Sequence, residues 1–264
     1  MPADDQTNVP FRLETARAAE LNGVKRMFKA GAFVIDVGAG DGYQASLLKS
    51  WGCVVLPLEV AVRPEAGYSN LVIYDGTAIP VRSGAADAIF SSNVLEHVTP
   101  ADLDLLLPEI RRVLNPETGI FVCLLPSSAW RFWTSIAHYA FAVRYLAGRR
   151  DVLGGRSPDL RDSMRKSGKL YAFSRALFPA AHGAAPTSVH ELFRFRAQVW
   201  RRTFRRHGFE VVGQGDNGLF YTGFSLFPSM GIETRRLLAR WFGASCHVFI
   251  LRPQEKAHDR KSCQ

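Results

Sequence analysis

The stretch Val34-Ile35-Asp36-Val37-Gly38-Ala39-Gly40-Asp41-Gly42 constrains the fold of this chain more than any other. Four strand-forming positions run into a glycine-rich turn, and an apolar helical pattern follows over residues 43–51. A strand, a tight turn and a helix N-terminus in that order aim backbone N–H groups and the positive end of a helix dipole at one point. Gly38, Gly40 and Gly42 allow positive φ and the close approach of a ligand. The carboxylate of Asp36, just before the turn, predicts that the ligand carries a positive group. The pattern is that of a nucleotide-type site.

The flanking sequence extends this unit into a sheet. Residues 11–28 read as a helix, with Leu13, Leu21, Val24, Met27 and Phe28 on one side and Glu14, Arg17 and Glu20 among the polar positions. A second apolar strand over 53–59 ends in Glu59, well placed to accept hydrogen bonds from ribose hydroxyls. A third over 71–74 ends at Asp75-Gly76-Thr77, and a fourth over 87–92 ends at Asn93-Val94-Leu95-Glu96-His97. A helix is expected over 102–114, where Pro108 removes an internal hydrogen bond and favours a kink. A fifth strand over 120–125 closes at Pro126. Short apolar strands alternating with helices predict a mainly parallel sheet covered on both faces, with ligands at the carboxyl ends of its strands. Asp36, Glu59, Asp75 and Asn93 all fall at such ends.

Five blocks in one order carry a family likeness: Asp36-Val37-Gly38-Ala39-Gly40-Asp41-Gly42; Glu59; Asp75-Gly76-Thr77-Ala78-Ile79-Pro80; Asp87-Ala88-Ile89-Phe90-Ser91-Ser92-Asn93-Val94-Leu95-Glu96-His97-Val98; and Glu109-Ile110-Arg111-Arg112-Val113-Leu114. Over residues 34–126 the chain resembles class I S-adenosylmethionine-dependent methyltransferases, within them the small-molecule branch called type 11. The resemblance implies that Asp36 and the backbone of Gly38 and Gly40, with Gly42 closing the turn, hold the methionine end of S-adenosylmethionine. It implies that Glu59 accepts both ribose hydroxyls, that Asp75 and Gly76 meet the adenine edge, and that Asn93 sits under the methionine portion. Two departures stand against the pattern: Pro57 interrupts the second strand, and Asn115-Pro116-Glu117-Thr118-Gly119 replaces a Pro-Gly-Gly turn. The rival, a nicotinamide dehydrogenase, also uses a glycine turn and an acid on the second strand. Its Gly-x-Gly-x-x-Gly spacing is absent, and Asp36 suits an ammonium better than a diphosphate.

Past Pro126 the sequence predicts the acceptor-selecting half. Residues 127–150 are helix-length and rich in aromatics, with Arg131, Thr134, Ser135 and His138 as a narrow polar stripe. The wide apolar surface fits a lid, a face in a membrane interface, or plain packing on the core with the stripe in water. Residues 151–186 mix Gly, Pro and Ser with basic residues and read as a long mobile insertion. A helix over 189–207 sets Leu192, Val199, Trp200 and Phe204 inward and Arg194, Arg201, Arg202 and Arg205 outward, towards solvent or an anionic lipid. Strands over 209–212 and 245–251 flank a basic amphipathic helix over 233–242.

The expectation is therefore an α/β fold, a Rossmann-like doubly wound sheet of seven mostly parallel strands, with helices on both faces and a helical insertion after strand five. Residues 1–252 form one domain, 127–190 its variable substrate or lid insertion, and 253–264 a disordered tail. The net charge of +9 points to an anionic partner or simply a soluble basic surface. Of the four cysteines, Cys53, Cys123 and Cys246 lie in apolar runs and no pair, Cys263 included, has metal or redox spacing. Reduced buried thiols, no metal, a cytoplasmic setting and no membrane-spanning run follow, with peripheral contact at the inner membrane face left as an option. The predicted reaction is O-methylation of a small, glycan or lipid-linked acceptor, with nucleic acid disfavoured. A non-catalytic docking protein on the same fold is the alternative. His97 is the first candidate base and His138 the second. Arg131, Trp133, His182, His190 and Glu191 are the expected acceptor-binding groups.

Overall fold

The computed structural model describes residues 12–61, 70–146, 179, 181–222, 227 and 229–254. They fall in two compact units. The larger comprises Arg17–Leu125, Ala197–Asn217 and His247–Gln264, the other Met1–Ala16, Pro126–Arg196 and Gly218–Cys246.

The larger unit is built on a seven-stranded sheet in the order β3-β2-β1-β4-β5-β7-β6. Its strands are β1 (Phe33–Val37), β2 (Val54–Glu59), β3 (Val72–Ile73), β4 (Ala88–Ser92), β5 (Ile120–Pro126), β6 (Phe209–Asp216) and β7 (Cys246–Pro253). The pairs β1–β2, β1–β4, β2–β3 and β4–β5 are parallel, and β6–β7 is antiparallel. Order reverses between β1 and β4, the switch point at which an open parallel sheet leaves a crevice.

Strand alternation divides the core in two. Ile35, Val37, Ile89, Phe121, Cys123, Phe249 and Leu251 meet Leu103, Leu106 and Ile110 of α3 (Pro100–Val113) and Trp200 and Phe204 of α6 (Ala197–Arg206). Val34, Phe90, Val122, Leu124 and Val248 face the other way, towards Leu21 of α1 (Leu13–Gly23) and Leu48 of α2 (Tyr43–Ser50). Thr99 caps α3 by accepting from the Asp102 N–H, and the helix runs on through Pro108.

The two departures from the family pattern are absorbed locally. Pro57 does not interrupt β2, where it pairs with Asp36. Among the described residues β3 pairs only with Leu58 and Glu59, so beside Pro57 the strand has no β3 partner there and a missing N–H costs little. In the turn before β5, Asn115 Oδ1 accepts from the N–H groups of Glu117 and Thr118 at 3.0 Å.

Several boundaries move. The helix expected over 11–28 ends at Gly23, with a 3₁₀ turn over Lys25–Met27. The single helix expected over 189–207 is two, α5 (Ser188–Arg194) and α6, broken at Phe195 and Arg196. That break leaves Val199 exposed rather than on the inner face. β6 continues to Asp216 after a register shift between Val211 and Gly213. β7 runs to Pro253, and the Gln254 N–H donates to Gly208 O at 2.8 Å, so order extends past residue 252. Residues 255–264 and most of the insertion expected over 151–186 lie outside the described residues.

The other unit contains α4 (Ser128–Leu146), α5 and α7 (Ile232–Phe242). No helix among the described residues is long and apolar enough to cross a membrane. Cys53, Cys123 and Cys246 are buried thiols, Cys246 Sγ lying 3.0 Å from the Tyr221 hydroxyl, and burial pushes the Cys123 thiol up.

Candidate active site

Asp36, Gly38, Gly40, Gly42, Glu59, Asp75, Gly76, Asn93 and His97 all lie in the larger unit, at the carboxyl ends of β1 to β4. Asp36 is buried, and its Oδ2 has no hydrogen-bond partner among the described residues. Desolvation, then the charges of Glu59 and Asp41, push its carboxyl up to about 7. A buried carboxylate so placed is unsatisfied until a cation reaches it.

The turn that follows is held by β2 through its own N–H groups. Gly38 and Ala39 N–H both donate to Leu58 O at 2.9 Å, and Gly40 N–H donates to Glu59 Oε2 at 2.7 Å. Gly42 N–H closes on Ala39 O at 2.9 Å. The glycine N–H groups expected to face the ligand are therefore engaged inside the protein. What the turn offers a ligand is its small profile and the Asp36 carboxylate, a poor match to a diphosphate. Gly38 has φ +76°, and a Cβ there would lie 2.3 Å from Val94 Cγ2, so the position admits only glycine.

Glu59 is buried, with Oε1 accepting the Val60 N–H at 2.8 Å besides the bond from Gly40. A carboxylate has about four acceptor sites, which leaves it capacity for a diol. Asp75 is exposed, and its Oδ1 takes the N–H groups of Ala78 and Thr77 and the Thr77 hydroxyl. Those bonds, Ala78 first, hold its carboxyl below the ordinary range. Tyr74, between Glu59 and Asp75 in the pairing, has its phenol pushed up to about 12 by burial and by their charges. Asn93 sits at φ +56°, its N–H bonded to Leu124 O and its amide to Ser92 Oγ at 3.1 Å. His97 follows with an exposed ring, its Nε2 3.7 Å from Oε1 of the buried Glu96.

Two supports escaped the sequence reading. Glu20, placed among the polar positions of α1, is buried, accepting from Arg17 at 2.8 Å and Asn217 at 2.9 Å, while Arg17 also reaches Ser92. Glu109 and Arg112 of α3 pair at 2.6 and 2.8 Å and grip the loop after Asp75 at Ile79 and Val81. The only sequence sign of the second was the Glu109–Arg112 block itself.

The acceptor-side candidates lie in the other unit, and most are engaged there. Arg131, expected on a polar stripe and as an acceptor-binding group, is buried, with Nε 3.1 Å from Oε2 of buried Glu191. Burial lowers the Arg131 pKa and the Glu191 charge opposes that shift. Glu191 Oε1 also accepts the N–H groups of His182 and Gly183 at 2.6 Å, and the His182 ring packs on Trp130 at 4.8 Å. Removing one partner of such a pair strands a buried charge, a loss of about 3–5 kcal/mol. Trp133 donates Nε1–H to Phe242 O at 2.9 Å and packs against Phe220 and Phe242. His190 meets Thr187 Oγ1 at 2.7 Å at the N-terminus of α5. The half-buried His138 ring packs on Tyr139.

A family model described as a methyltransferase domain matches residues 12–214 of this chain. An uncharacterized methyltransferase of Synechocystis sp. is 30% identical over 118 residues, 40% of this chain and 54% of the relative. One from Mycolicibacterium gilvum is 36% identical over 91 residues, 31% of this chain and 35% of the relative. The match thus spans about half or less of these curated relatives. The crystal structure of a SAM dependent methyltransferase from Archaeoglobus fulgidus covers the same fold, with TM-score 0.52, 16% identity, and 90% of this chain against 93% of that one.

Proposed function

This chain belongs to the methyltransferase domain family of class I S-adenosylmethionine-dependent enzymes, and from that premise we propose that it methylates an oxygen of a small, glycan or lipid-linked acceptor. The buried Asp36 carboxylate, with one oxygen unpartnered and its pKa near 7 beside a glycine turn, carries the reading. The residues fit S-adenosylmethionine: Asp36 holds its ammonium, Glu59 its ribose hydroxyls, Asp75 and Gly76 its adenine edge, and Asn93 borders the methionine portion. When bound, that cofactor supplies a methyl group already activated by its sulfonium. The protein then has to align the acceptor, exclude water and receive the acceptor's proton.

His97 receives that proton in this reading. Its exposed ring follows β4, with Nε2 3.7 Å from Oε1 of the buried Glu96. His138 is the alternative base. His182 and His190 remain the acceptor-binding groups, while Arg131 and Glu191 act by holding His182 in place and Trp133 by packing against Phe220 and Phe242. In this reading residues 127–190 select the acceptor, and the protein works at an acidic membrane face.

His97→Gln tests the assignment. Turnover, followed as label leaving methyl-labelled cofactor, is expected to fall by about 10²–10⁴-fold. Cofactor affinity in the same variant stays within about twofold, since His97 makes no contact with the Asp36–Glu59 cradle in this reading. Undiminished turnover removes His97 from the role.

A further inference from the structure

Helix α7 turns an arginine inward and its largest apolar side chain outward. Arg235 is 1% exposed, and its guanidinium donates to the backbone carbonyls of Phe227, Met230 and Phe220 at 2.7, 3.1 and 3.3 Å. On the far side Leu237 is 54% and Trp241 80% exposed. At about 100° per residue these two lie about 40° apart, and Leu237 about 160° from Arg235. Exposed Arg236 and Arg240 flank them, Arg236 paired with Glu233 at 2.7 Å. The apolar area continues at the helix end. Exposed Phe242 packs 5.1 Å from the Trp133 ring, which lies 5.2 Å from exposed Phe132 of α4.

An amphipathic helix of a water-facing protein has the opposite arrangement, cations out and indole in. Here three carbonyls stabilise the buried cation while Leu237 and Trp241 are left in water, which makes sense when their natural surroundings are partly apolar. An indole with guanidinium groups beside it suits the headgroup layer of a bilayer, where the ring sits at the acyl boundary and the cations meet phosphate. The +9 charge of the chain adds long-range attraction to an anionic surface.

We infer that this face of α7 docks on an anionic lipid surface, with Leu237 and Trp241 entering the headgroup layer and Arg236 and Arg240 meeting lipid phosphates. The inference rests on the membrane part of the reading above and names the surface responsible. It is independent of methyl transfer.

Sedimentation of the intact chain with phosphatidylcholine vesicles, with and without phosphatidylglycerol, tests it. The wild type is expected to bind the anionic vesicles about tenfold or more tightly than the neutral ones, and Trp241→Ser and Arg240→Glu each to lose most of that binding. Both variants keep the wild-type melting temperature and S-adenosylmethionine affinity, because neither side chain is buried or part of the cofactor cradle. Trp241→Ser that still binds anionic vesicles as the wild type does overturns the α7 surface while the membrane reading stands. A wild type that binds no vesicle overturns both. A wild-type dimer that Trp241→Ser makes monomeric, without vesicle binding, assigns the face to a second copy and overturns the inference.

Discussion

Gly38→Ala is expected to abolish S-adenosylmethionine binding and to destabilise the fold. At φ +76° an L side chain is strained, and the new Cβ would sit 2.3, 2.7 and 3.0 Å from three Val94 side-chain atoms. Left-handed strain of about 1–3 kcal/mol and overpacking of similar size sum to roughly 2–6 kcal/mol. At about 2–4 °C per kcal/mol for a domain of this size, that lowers the melting temperature by about 4–24 °C. The backbone cannot yield cheaply, because Gly38 and Ala39 are both tied to Leu58 O and Gly40 to Glu59. Relief of the clash moves the turn and with it Asp36 and Glu59. Adding Val94→Ala removes the clashing atoms but not the strain, so the double variant should recover part of the melting temperature. Calorimetry and thermal unfolding on the same samples check both, and a Gly38→Ala protein that binds cofactor normally contradicts the geometry.

Asp36→Asn should separate stability from binding. The Asp36 carboxyl titrates near 3.8 when unfolded and at about 7 when folded without ligand. Its folded pKa is raised, so its contribution to stability is present in full below pH 3.8. That contribution is lost as pH rises through 7. That rise corresponds to about 4 kcal/mol of stability lost across the window. Asn cannot ionise, so the ligand-free variant is expected to be more stable than the wild type above pH 7, with the gap closing towards pH 4. Cofactor binding reverses the order. The ammonium needs the carboxylate, so wild-type affinity rises about tenfold per pH unit below 7 and levels off above it. The variant loses roughly 2–5 kcal/mol of binding with little pH dependence. Thermal unfolding and titration across pH 5–8 check this. A variant with unchanged affinity at pH 8 removes Asp36 from the cofactor site.

The strand ends that form the candidate cofactor site were legible because each residue there ends a local pattern. Asp36, Glu59, Asp75 and Asn93 each follow a short apolar run and precede a turn, which marks the carboxyl end of a parallel strand without any long-range information. What the glycine turn does with its N–H groups was not legible, since their acceptors, Leu58 O and Glu59, come from the next strand. The partners of buried charged residues were not legible for the same reason. Glu20 meets Asn217, and Arg131 meets Glu191, contacts that a polar position in a helical pattern does not reveal. The helix break at Phe195 left a periodic pattern on either side, which hid the change of phase. The inverted face of α7 is invisible to composition, because Arg235, Arg236 and Arg240 differ only in which direction the fold turns them.

A calorimetric titration of the intact chain with S-adenosylmethionine at pH 8 tests the central claim most directly, that the crevice built on Asp36 and Glu59 is a cofactor site. A single saturable site is expected, with a dissociation constant between about 1 μM and 1 mM. Heat of dilution alone, from a folded sample at millimolar cofactor, would contradict it and leave the basic chain as a docking protein on a methyltransferase fold.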